Sequence, residues 1–329
     1  MRNARITGTG AAVPSRVVPN AYFNELLNED VDTWLRENVQ IYERRWLADN
    51  ESVADLCEQA ARQAIQRAGI DVKEIDLIII ATDTPEFISP STASVLQDRL
   101  GAINAGSFDV NTACAGFVSA MDTGFKYIQA DSHYKHILVI GAYAMSKYLN
   151  LMDKKTVTLF ADGAGAVILS ATQDENVGQL ASVQMTQGQY NEWMGIYAGG
   201  ARTPITQEVV KRGEHKLQFV KKFPKELNPT MWSSMAKKMV NDAGRDIGDV
   251  KMFFMTQINI NSIFEMLDIL GLPHDRAIYI MHKYGYTGSA AIPMALNQAV
   301  EQGNIKRGDL ITLIGSGGGL AFAGSLVVY

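Results

Sequence analysis

Apolar positions along the chain fall into short continuous runs, separated by longer stretches with helical spacing. The runs at residues 75–82, 136–142 and 310–314 are almost entirely apolar, which is typical of strands buried on both faces. Residues 51–69, just before the first run, place apolar side chains three and four positions apart and end at Gly69, as an amphipathic helix does. This alternation predicts an α/β protein with mostly parallel sheets.

The same plan occurs twice along the chain. Residues 1–170 and 171–329 each contain alternating strands and helices, and no low-complexity linker separates them, so we expect two similar halves around one continuous core. Residues 187–228 break the pattern and predict an irregular insertion over the functional site. Its lysines are interpreted as a solvated surface, with contact to a phosphate-bearing carrier as the alternative. At a finer scale we expect a helix at residues 20–38, a glycine-rich turn at 161–166 and a strand at 277–281.

Composition narrows the classes of function. The 329 residues are 47% hydrophobic, and 30 basic side chains face 35 acidic ones for a net charge of -5. No basic run points to nucleic acid, and no apolar run approaches the roughly 20 residues of a membrane-spanning helix. The two cysteines make no disulfide framework, and the five histidines lack metal-ligand spacing. We therefore expect a cytoplasmic protein without bound metal.

One of the two cysteines has surroundings that suit chemistry. Cys114 occurs where a predicted strand ends and a helix begins, and its neighbours are alanine and glycine. These small residues leave room beside the thiol, and the positive end of the helix dipole favours the thiolate over the thiol. The alternative is that the cysteine only fills the core, which is how we interpret Cys57 on its apolar helical stripe.

Four segments follow one another in a recognisable order and spacing. They are Asn111-Thr-Ala-Cys-Ala-Gly-Phe117, Phe160-Ala-Asp-Gly-Ala-Gly-Ala166, Tyr284-Gly-Tyr-Thr-Gly-Ser-Ala-Ala-Ile-Pro293 and Gly315-Ser-Gly-Gly-Gly319. Together they resemble the thiolase superfamily, and most closely the β-ketoacyl-acyl-carrier-protein synthase III type of condensing enzyme. The resemblance covers nearly the whole chain. It implies the five-layered αβαβα thiolase fold, a homodimer, and Cys114 as the residue that accepts an acyl group from a thioester.

Two catalytic positions depart from the family pattern. Thr256 stands where the family has a histidine, and Tyr286 stands where it has an asparagine. Both replacements carry a hydroxyl donor, but neither is a proton-transfer base near neutral pH. We expect acyl capture to be retained and decarboxylative condensation to be impaired or replaced.

Other groups are expected to complete the catalytic site. His282, four residues before the substituted asparagine position, is the histidine that we would test as a replacement for the missing imidazole, with a surface or loop histidine as the alternative. Oxyanion donors are expected from the backbone N–H groups of Cys114, Gly317, Gly318 and Gly319.

The resemblance also implies residues that bind the thioester. Trp34 stands where the family stacks a tryptophan on the adenine of coenzyme A, and Asn259 closes the segment that replaces the histidine motif. Two basic docking positions of the family are Asn38 and Asn261 here, which weakens the case for a standard coenzyme A or carrier-protein donor. Ser89 falls where the partner subunit often inserts an aromatic ring, and a small residue there would admit a longer or bulkier acyl group.

These observations predict an acyltransferase of the synthase III type. It would form an acyl thioester on Cys114 and pass the acyl group to an acceptor, in fatty-acid-related or specialised, polyketide-like biosynthesis. No permanently bound cofactor is expected, because the acyl-coenzyme A or acyl-carrier-protein thioester is a substrate. Two alternatives stay open: a decarboxylative condensing enzyme that uses Thr256 and Tyr286, and a non-catalytic partner subunit of an active homologue.

Overall fold

Strands and helices alternate along the whole chain in the computed structural model, which describes residues 2–329. The strands are β1 (Asn3–Ala12), β2 (Val17–Pro19), β3 (Glu43–Arg45), β4 (Leu77–Ala81), β5 (Gly106–Val110), β6 (His136–Ala144), β7 (Asp162–Thr172), β8 (Gly178–Thr186), β9 (Met194–Gly195), β10 (Gln218–Phe219), β11 (Val250–Met255), β12 (Leu310–Gly317) and β13 (Ala321–Val328). The helices are α1 (Asn20–Leu27), α2 (Asp32–Trp34, continued by a π-helical turn at Leu35–Val39), α3 (Val53–Ala68), α4 (Thr92–Leu100), α5 (Gly116–Ala130), α6 (Lys154–Val157), α7 (Gln207–Lys211), α8 (Leu227–Asp242), α9 (Ile260–Leu270), α10 (Met281–Tyr284) and α11 (Ala291–Glu301).

The first large sheet contains five strands in the order β1-β7-β6-β4-β5. Strand β4 lies parallel to both β5 and β6, whereas β7 runs antiparallel to β6 and β1. All five residues of β4 are buried, because helices cover both faces of the sheet at this point. The carboxyl ends of β4 and β5 therefore meet at one edge, where polar residues are brought together.

The second large sheet repeats this arrangement, except that its fifth strand is reduced to a single bridge. Its order is β8-β13-β12-β11, and a single parallel bridge from Phe253 to Ala277 stands in the fifth place. The predicted strand at 277–281 is therefore wrong beyond its first residue. The side-chain amide of Gln257 accepts from the Ile280 N–H and donates to the Ile278 carbonyl, so it replaces the strand partner that these backbone groups would need.

The helices make three layers around the two sheets. Helices α3 and α4 pack outside the first sheet, α8 and α9 pack outside the second, and α5 and α11 lie between the sheets. Separate hydrophobic clusters fill the two outer interfaces and the central layer. The predicted five-layered αβαβα fold is confirmed. No helix among residues 2–329 has the length and apolar character needed to cross a bilayer.

The prediction of mostly parallel sheets was wrong, because each large sheet combines parallel pairs with antiparallel pairs. Two further local predictions were also wrong. The helix expected at residues 20–38 is interrupted after α1, where Asn28 adopts a left-handed conformation (φ 52°) and the Asn24 side chain accepts from the N–H of Val31 at 2.9 Å. The glycine-rich segment at 161–166 is not a turn, since most of it belongs to β7. A Cβ atom on Gly165 would lie 2.7 Å from the Met294 nitrogen, so glycine lets α11 pack against the strand.

The irregular segment at residues 187–228 carries little regular structure. It holds the short β9–β10 pair, helix α7 and an aromatic cluster in which Trp193 stacks on Phe223 with ring centroids 5.5 Å apart. Its backbone is joined to the first half where the Leu217 N–H donates to the Tyr148 carbonyl at 2.8 Å. These contacts hold the segment over the carboxyl ends of the strands, where it lines two cavities.

Candidate active site

Cys114 is presented by a strained turn between β5 and α5. The Asn111 side chain accepts from the Ala113 N–H at 3.0 Å, and Ala113 has a φ of 46°, in the left-handed region that alanine rarely adopts. A short 3₁₀ turn at Ala113–Ala115 then leads into α5. The thiol residue is only 3% exposed, so any substrate must reach it through a cavity rather than from open solvent.

The glycine segment at the end of β12 lies directly against the backbone of this turn. A Cβ atom at Gly317 would lie 2.3 Å from the Thr112 oxygen and 2.7 Å from the Cys114 nitrogen. No side chain fits in that space, which explains the glycine at this position. At Gly318 the nearest atom to a Cβ would be 3.4 Å away, so glycine is not required there by crowding.

Two cavities meet at the thiol. The entrance cavity, with a volume of about 430 Å³, is lined by residues that include Trp34, Thr256 and Tyr286. The inner cavity, with a volume of about 240 Å³, is lined by residues that include Asp83 and Tyr143. The residues common to both cavities are Cys114, Met194 and Gly318. The thiol therefore lies where a molecule entering through one cavity would deliver a group into the other.

Two phenol groups line the cavities that meet at the sulfur. Hydrogen bonding from the Tyr286 and Tyr143 hydroxyls lowers the pKa of the Cys114 thiol, and Tyr286 lines the entrance cavity while Tyr143 lines the inner one. The Tyr286 backbone is fixed by bonds to Leu159 (2.8 Å) and Ala161 (2.9 Å), and its ring packs on Phe160. Both residues are buried.

Electrostatics at the thiol run against one prediction from the sequence. Burial, followed by the charge of the Asp83 carboxylate, raises the pKa of the Cys114 thiol to about 12. Hydrogen bonds from Tyr286, from the cysteine's own N–H and from Tyr143 act in the opposite direction but are outweighed. Burial therefore opposes the resting thiolate that the helix dipole was expected to favour, because a nearly enclosed sulfur is poorly solvated.

Thr256 lines the entrance cavity but its hydroxyl is already engaged. The oxygen accepts from the Ser316 N–H at 2.8 Å and donates to the Ser316 carbonyl at 3.3 Å. The side chain thus ties the end of β11 to the end of β12, just ahead of the glycine loop. Of the two residues that replace the family's histidine and asparagine, Tyr286 is the one with its hydroxyl directed at the sulfur.

The mouth of the entrance cavity is neutral on one side and basic on the other. Trp34 is 53% exposed there, and the Asn261 side chain donates to the Asn38 carbonyl at 2.9 Å. Asn259 caps α9 by accepting from the Asn261 N–H at 3.0 Å. The exposed Lys222 and Lys225 belong to the irregular segment and line the same cavity.

Other predicted site residues lie elsewhere. No imidazole among residues 2–329 lines either cavity at Cys114. His282 faces a separate cavity with Tyr42 and Tyr279, so it is not a local replacement for the missing histidine. Burial lowers its pKa.

Ser89 is exposed and lines neither cavity of its own chain. Its contact with a partner subunit's acyl pocket stays a prediction. Gly319 lines only the inner cavity.

Sequence reasoning missed Asp83 and Tyr143. Asp83 follows β4 by two residues, and Tyr143 lies in β6, the next strand in the sheet. Both sit near the edge at which Cys114 follows β5, and the adjacency of these parallel strands is the signal that could have found Asp83. Its polar side chain directly after a wholly apolar strand was visible in the sequence.

Comparisons with known proteins agree with this geometry. Residues 108–188 match the family described as 3-oxoacyl-[acyl-carrier-protein (ACP)] synthase III, and residues 240–329 match its C-terminal family. The chain is 35% identical over 327 residues to the β-ketoacyl-[acyl-carrier-protein] synthase III of Sulfurovum sp. (strain NBC37-1), covering 99% of this chain and 96% of that protein.

Solved structures give the same picture. The 3-oxoacyl-[acyl-carrier-protein] synthase III of Aquifex aeolicus VF5 superposes with a TM-score of 0.89 at 30% identity, covering 99% of this chain and all (100%) of the other. The priming β-ketosynthase from the R1128 polyketide pathway superposes with a TM-score of 0.88 at 26% identity, covering 99% and 96% of the two chains.

Proposed function

The chain belongs to the β-ketoacyl-acyl-carrier-protein synthase III family of the thiolase superfamily, and from that premise we propose that it is an acyltransferase with Cys114 as its nucleophile. The observation that carries the proposal is the position of this thiol at the junction of an entrance cavity and an inner cavity. A thioester enters through the first cavity, and its acyl group is left in the second.

The first step proceeds without an imidazole base beside the thiol. The Cys114 sulfur attacks the thioester carbonyl, the carbon–sulfur bond to the carrier breaks, and the proton released by Cys114 ends on the departing thiol. The step therefore converts the Cys114 thiol and the carrier thioester into a Cys114 thioester and a carrier thiol. Tyr286 and Tyr143 donate to the sulfur as charge develops on it, which offsets part of the high pKa of the buried thiol.

The second step passes the acyl group to another nucleophile. A hydroxyl, amine or carbanion attacks the acyl carbon, and the sulfur leaves as the thiolate and regains a proton. Decarboxylation of a malonyl unit would require strong donors to a developing enolate oxygen, and losing one such donor costs about 3 kcal/mol. With no imidazole at the site and the Thr256 hydroxyl bonded to Ser316, we propose transfer without decarboxylation as the main activity.

Decarboxylative carbon–carbon condensation is the second candidate. Tyr286 favours it, because its hydroxyl lies beside the sulfur at the position where the family has its asparagine and could donate to an enolate oxygen. In this alternative the Tyr286 hydroxyl would be the one strong donor in place of the family's histidine and asparagine. The condensation would then be slow rather than absent. Family members act in fatty-acid synthesis, and we propose a related or specialised, polyketide-like pathway for this chain.

The carrier is proposed to be coenzyme A or an acyl-carrier protein. Both end in a phosphate-bearing pantetheine arm, and Lys222 and Lys225 supply positive charge at the mouth of the entrance cavity where Asn38 and Asn261 are neutral. The exposed Trp34 ring offers a face on which an adenine can stack. We propose that these residues together hold the carrier while its thioester reaches Cys114.

A homodimer is proposed as the working form. Strand β5 is the edge of the first sheet, and unpaired edge strands are commonly covered by a partner. The segments that flank α4 expose Phe87, Ile88 and Ile103 close to this edge. Light scattering that gives the mass of a single chain would contradict this proposal.

Intact-protein mass spectrometry tests the main proposal. The protein is mixed with acetyl-, butyryl- and longer acyl-coenzyme A, and we expect an acyl adduct on wild type and on Cys57→Ala but none on Cys114→Ala. Cys57 is the matched control, because it is fully buried in α3 and lines neither cavity. If no thioester labels Cys114, the chain is better described as a non-catalytic partner subunit.

A second measurement separates the two catalytic candidates. Malonyl-coenzyme A is added to the acylated protein, and carbon dioxide is measured together with loss of the adduct. Pure acyl transfer predicts that the adduct is lost to an added amine or alcohol without carbon dioxide. Release of one carbon dioxide for each adduct lost would establish condensation instead.

A further inference from the structure

Asp83 places an unpaired carboxylate in the inner cavity. Its Oδ1 atom is enclosed and has no hydrogen-bond partner. The neighbouring Thr82 and Thr84 hydroxyls pair with each other at 3.3 Å, and neither is a partner of this atom. The carboxylate lines the same cavity as Cys114. Buried carboxylates are normally paired, so this one is arranged for a partner that the rest of its own chain does not supply.

No positive charge faces this carboxylate. The residues that line the inner cavity include no lysine, arginine or histidine. Instead, the Asp83 charge raises the pKa values of the Cys114 thiol and of the Tyr143 and Tyr286 phenols. A lone carboxylate at this position therefore opposes formation of the thiolate that acyl transfer needs. A group that pairs with Asp83 would remove that opposition.

The rest of the inner cavity is also suited to a small polar group. Its volume of 240 Å³ corresponds to about eight liquid waters, which is enough for an acyl chain of a few carbons. Asn111, Asn191 and Tyr197 line it together with Asp83, and apolar side chains such as Leu217 line the rest. An acyl chain on Cys114 that extends into this cavity therefore has polar side chains within its surroundings.

We propose that the inner cavity selects short acyl groups that carry a hydrogen-bond donor, a hydroxyl or an ammonium, and that Asp83 accepts from this donor. The inference rests on the proposed acyl transfer, because that function puts the acyl chain in this cavity. Asp83 has two effects in it: it recognises the donor, and its charge is compensated when the donor binds. A plain alkyl chain of the same size leaves the carboxylate desolvated and unpaired.

Matched thioesters test the proposal. Labelling rates of Cys114 are measured with butyryl-, 3-hydroxybutyryl- and 3-aminobutyryl-coenzyme A, in wild type, Asp83→Asn and Asp83→Leu. We expect wild type to favour the donor-bearing chains by about tenfold to a hundredfold, as for a hydrogen bond to a charged group, and Asp83→Leu to favour butyryl. Preference for the amine alone identifies an ammonium as the donor, and preference for both includes the hydroxyl.

Two outcomes would overturn the inference. One is equal labelling of wild type by all three thioesters. The other is an Asp83→Asn variant that slows all three to the same extent, which would make the carboxylate a proton acceptor for the thiol rather than a recognition group. Asp83→Asn, which is nearly isosteric, serves if Asp83→Leu does not fold.

A binding measurement on a variant that cannot be acylated distinguishes this inference from the proposed function. Cys114→Ala cannot be acylated, so calorimetry on this variant reports the affinity for the same three thioesters. Tighter binding of the donor-bearing chains supports the inference even if wild type forms no adduct, in which case only the acyl-transfer proposal fails. Equal affinities overturn the inference even if acylation succeeds.

Discussion

The entrance and inner cavities touch the same sulfur but are built differently. The entrance cavity has about 430 Å³ and is bordered mainly by apolar side chains, with Trp34, Lys222 and Lys225 at its mouth. The inner cavity has about 240 Å³ and contains a carboxylate, two asparagines and two tyrosines. A long carrier arm suits the first shape, and a short polar acyl group suits the second.

The two sides also act differently on the thiol. From the entrance side, Tyr286 donates to the sulfur and lowers the pKa of Cys114, whereas the inner side carries both Asp83, which raises this pKa, and Tyr143, which lowers it. The difference teaches that only the inner side carries a charge that opposes the thiolate, and we propose that the group that occupies this cavity changes how readily the sulfur reacts.

The largest effect is expected at the loop that separates the cavities. Gly317→Ala would force a Cβ atom against Thr112 and Cys114, so we expect overpacking of about 1–3 kcal/mol and a labelling rate at least a hundredfold lower. Gly318→Ala is the control, because its Cβ meets no atom closer than 3.4 Å. Thermal melts and labelling kinetics measure both. Normal labelling of Gly317→Ala would mean that the loop does not set the position of the sulfur.

The next largest effect is expected on the free energy of unfolding, which the buried Asp83 carboxylate changes with pH. Burial raises the pKa of Asp83 to about 6, so the folded protein holds this proton more tightly than the unfolded chain does. Its contribution to stability therefore falls as the pH rises from about 4 to about 6 and stays low above that. We expect Asp83→Asn to raise the free energy of unfolding at pH 8 by up to about 3 kcal/mol relative to its effect at pH 4.

Asp162 is the matched control for this measurement. Burial also raises its pKa to about 6, but its carboxylate accepts from the backbone N–H groups of Leu47 (2.7 Å) and Ser146 (2.8 Å). An asparagine cannot replace both acceptors, so Asp162→Asn should destabilise the protein at pH 8. Urea titrations across the pH range compare the two variants. Destabilisation by Asp83→Asn at pH 8 would show that the inner carboxylate has a partner after all.

The two tyrosines allow a direct comparison of the cavities. Tyr286→Phe should slow acylation of Cys114 by about tenfold to a hundredfold, since it removes a hydrogen bond to a developing thiolate. Tyr143→Phe should have the smaller effect, because the Tyr286 hydrogen bond lowers the pKa of Cys114 more. Alkylation by iodoacetamide as a function of pH gives the thiol pKa in each variant, and it should rise in both. A larger effect at Tyr143 would reverse the roles assigned to the two sides.

The smallest effect is expected at the mouth of the entrance cavity. Lys222→Ala combined with Lys225→Ala should raise the KM for acyl-coenzyme A about fivefold at low salt, as expected for two exposed charges. Acyl-N-acetylcysteamine, which lacks phosphates, should be unaffected. Lys221→Ala is the control, because its ammonium lies 4.2 Å from the Trp193 ring centroid and it does not line the cavity. Equal changes for both substrates would exclude a phosphate contact.

Much of the architecture could be predicted from the chain alone. Apolar runs such as β4 and the helical spacing of α3 are local patterns, and they led to the layered fold and its repeat. The position of Cys114 after a strand and before a helix was also correct, because small residues and a strand end leave few other local structures. The lost strand at 277–281 was not predictable, since it depends on a side-chain amide 20 or more residues earlier, at Gln257.

The chemistry of the site divides in the same way. The sequence determined that a cysteine lies at the turn between a strand and a helix and that Thr256 and Tyr286 replace the family's histidine and asparagine, because these are identities at fixed places in a motif. Only the tertiary structure decided that Asp83 and Tyr143 line a cavity at the same sulfur, that the Thr256 hydroxyl is bonded to Ser316, and that burial raises the pKa of the thiol. The shape of a cavity, the burial of a side chain and the charge around it depend on segments that are distant in the chain. A local sequence pattern therefore does not determine them.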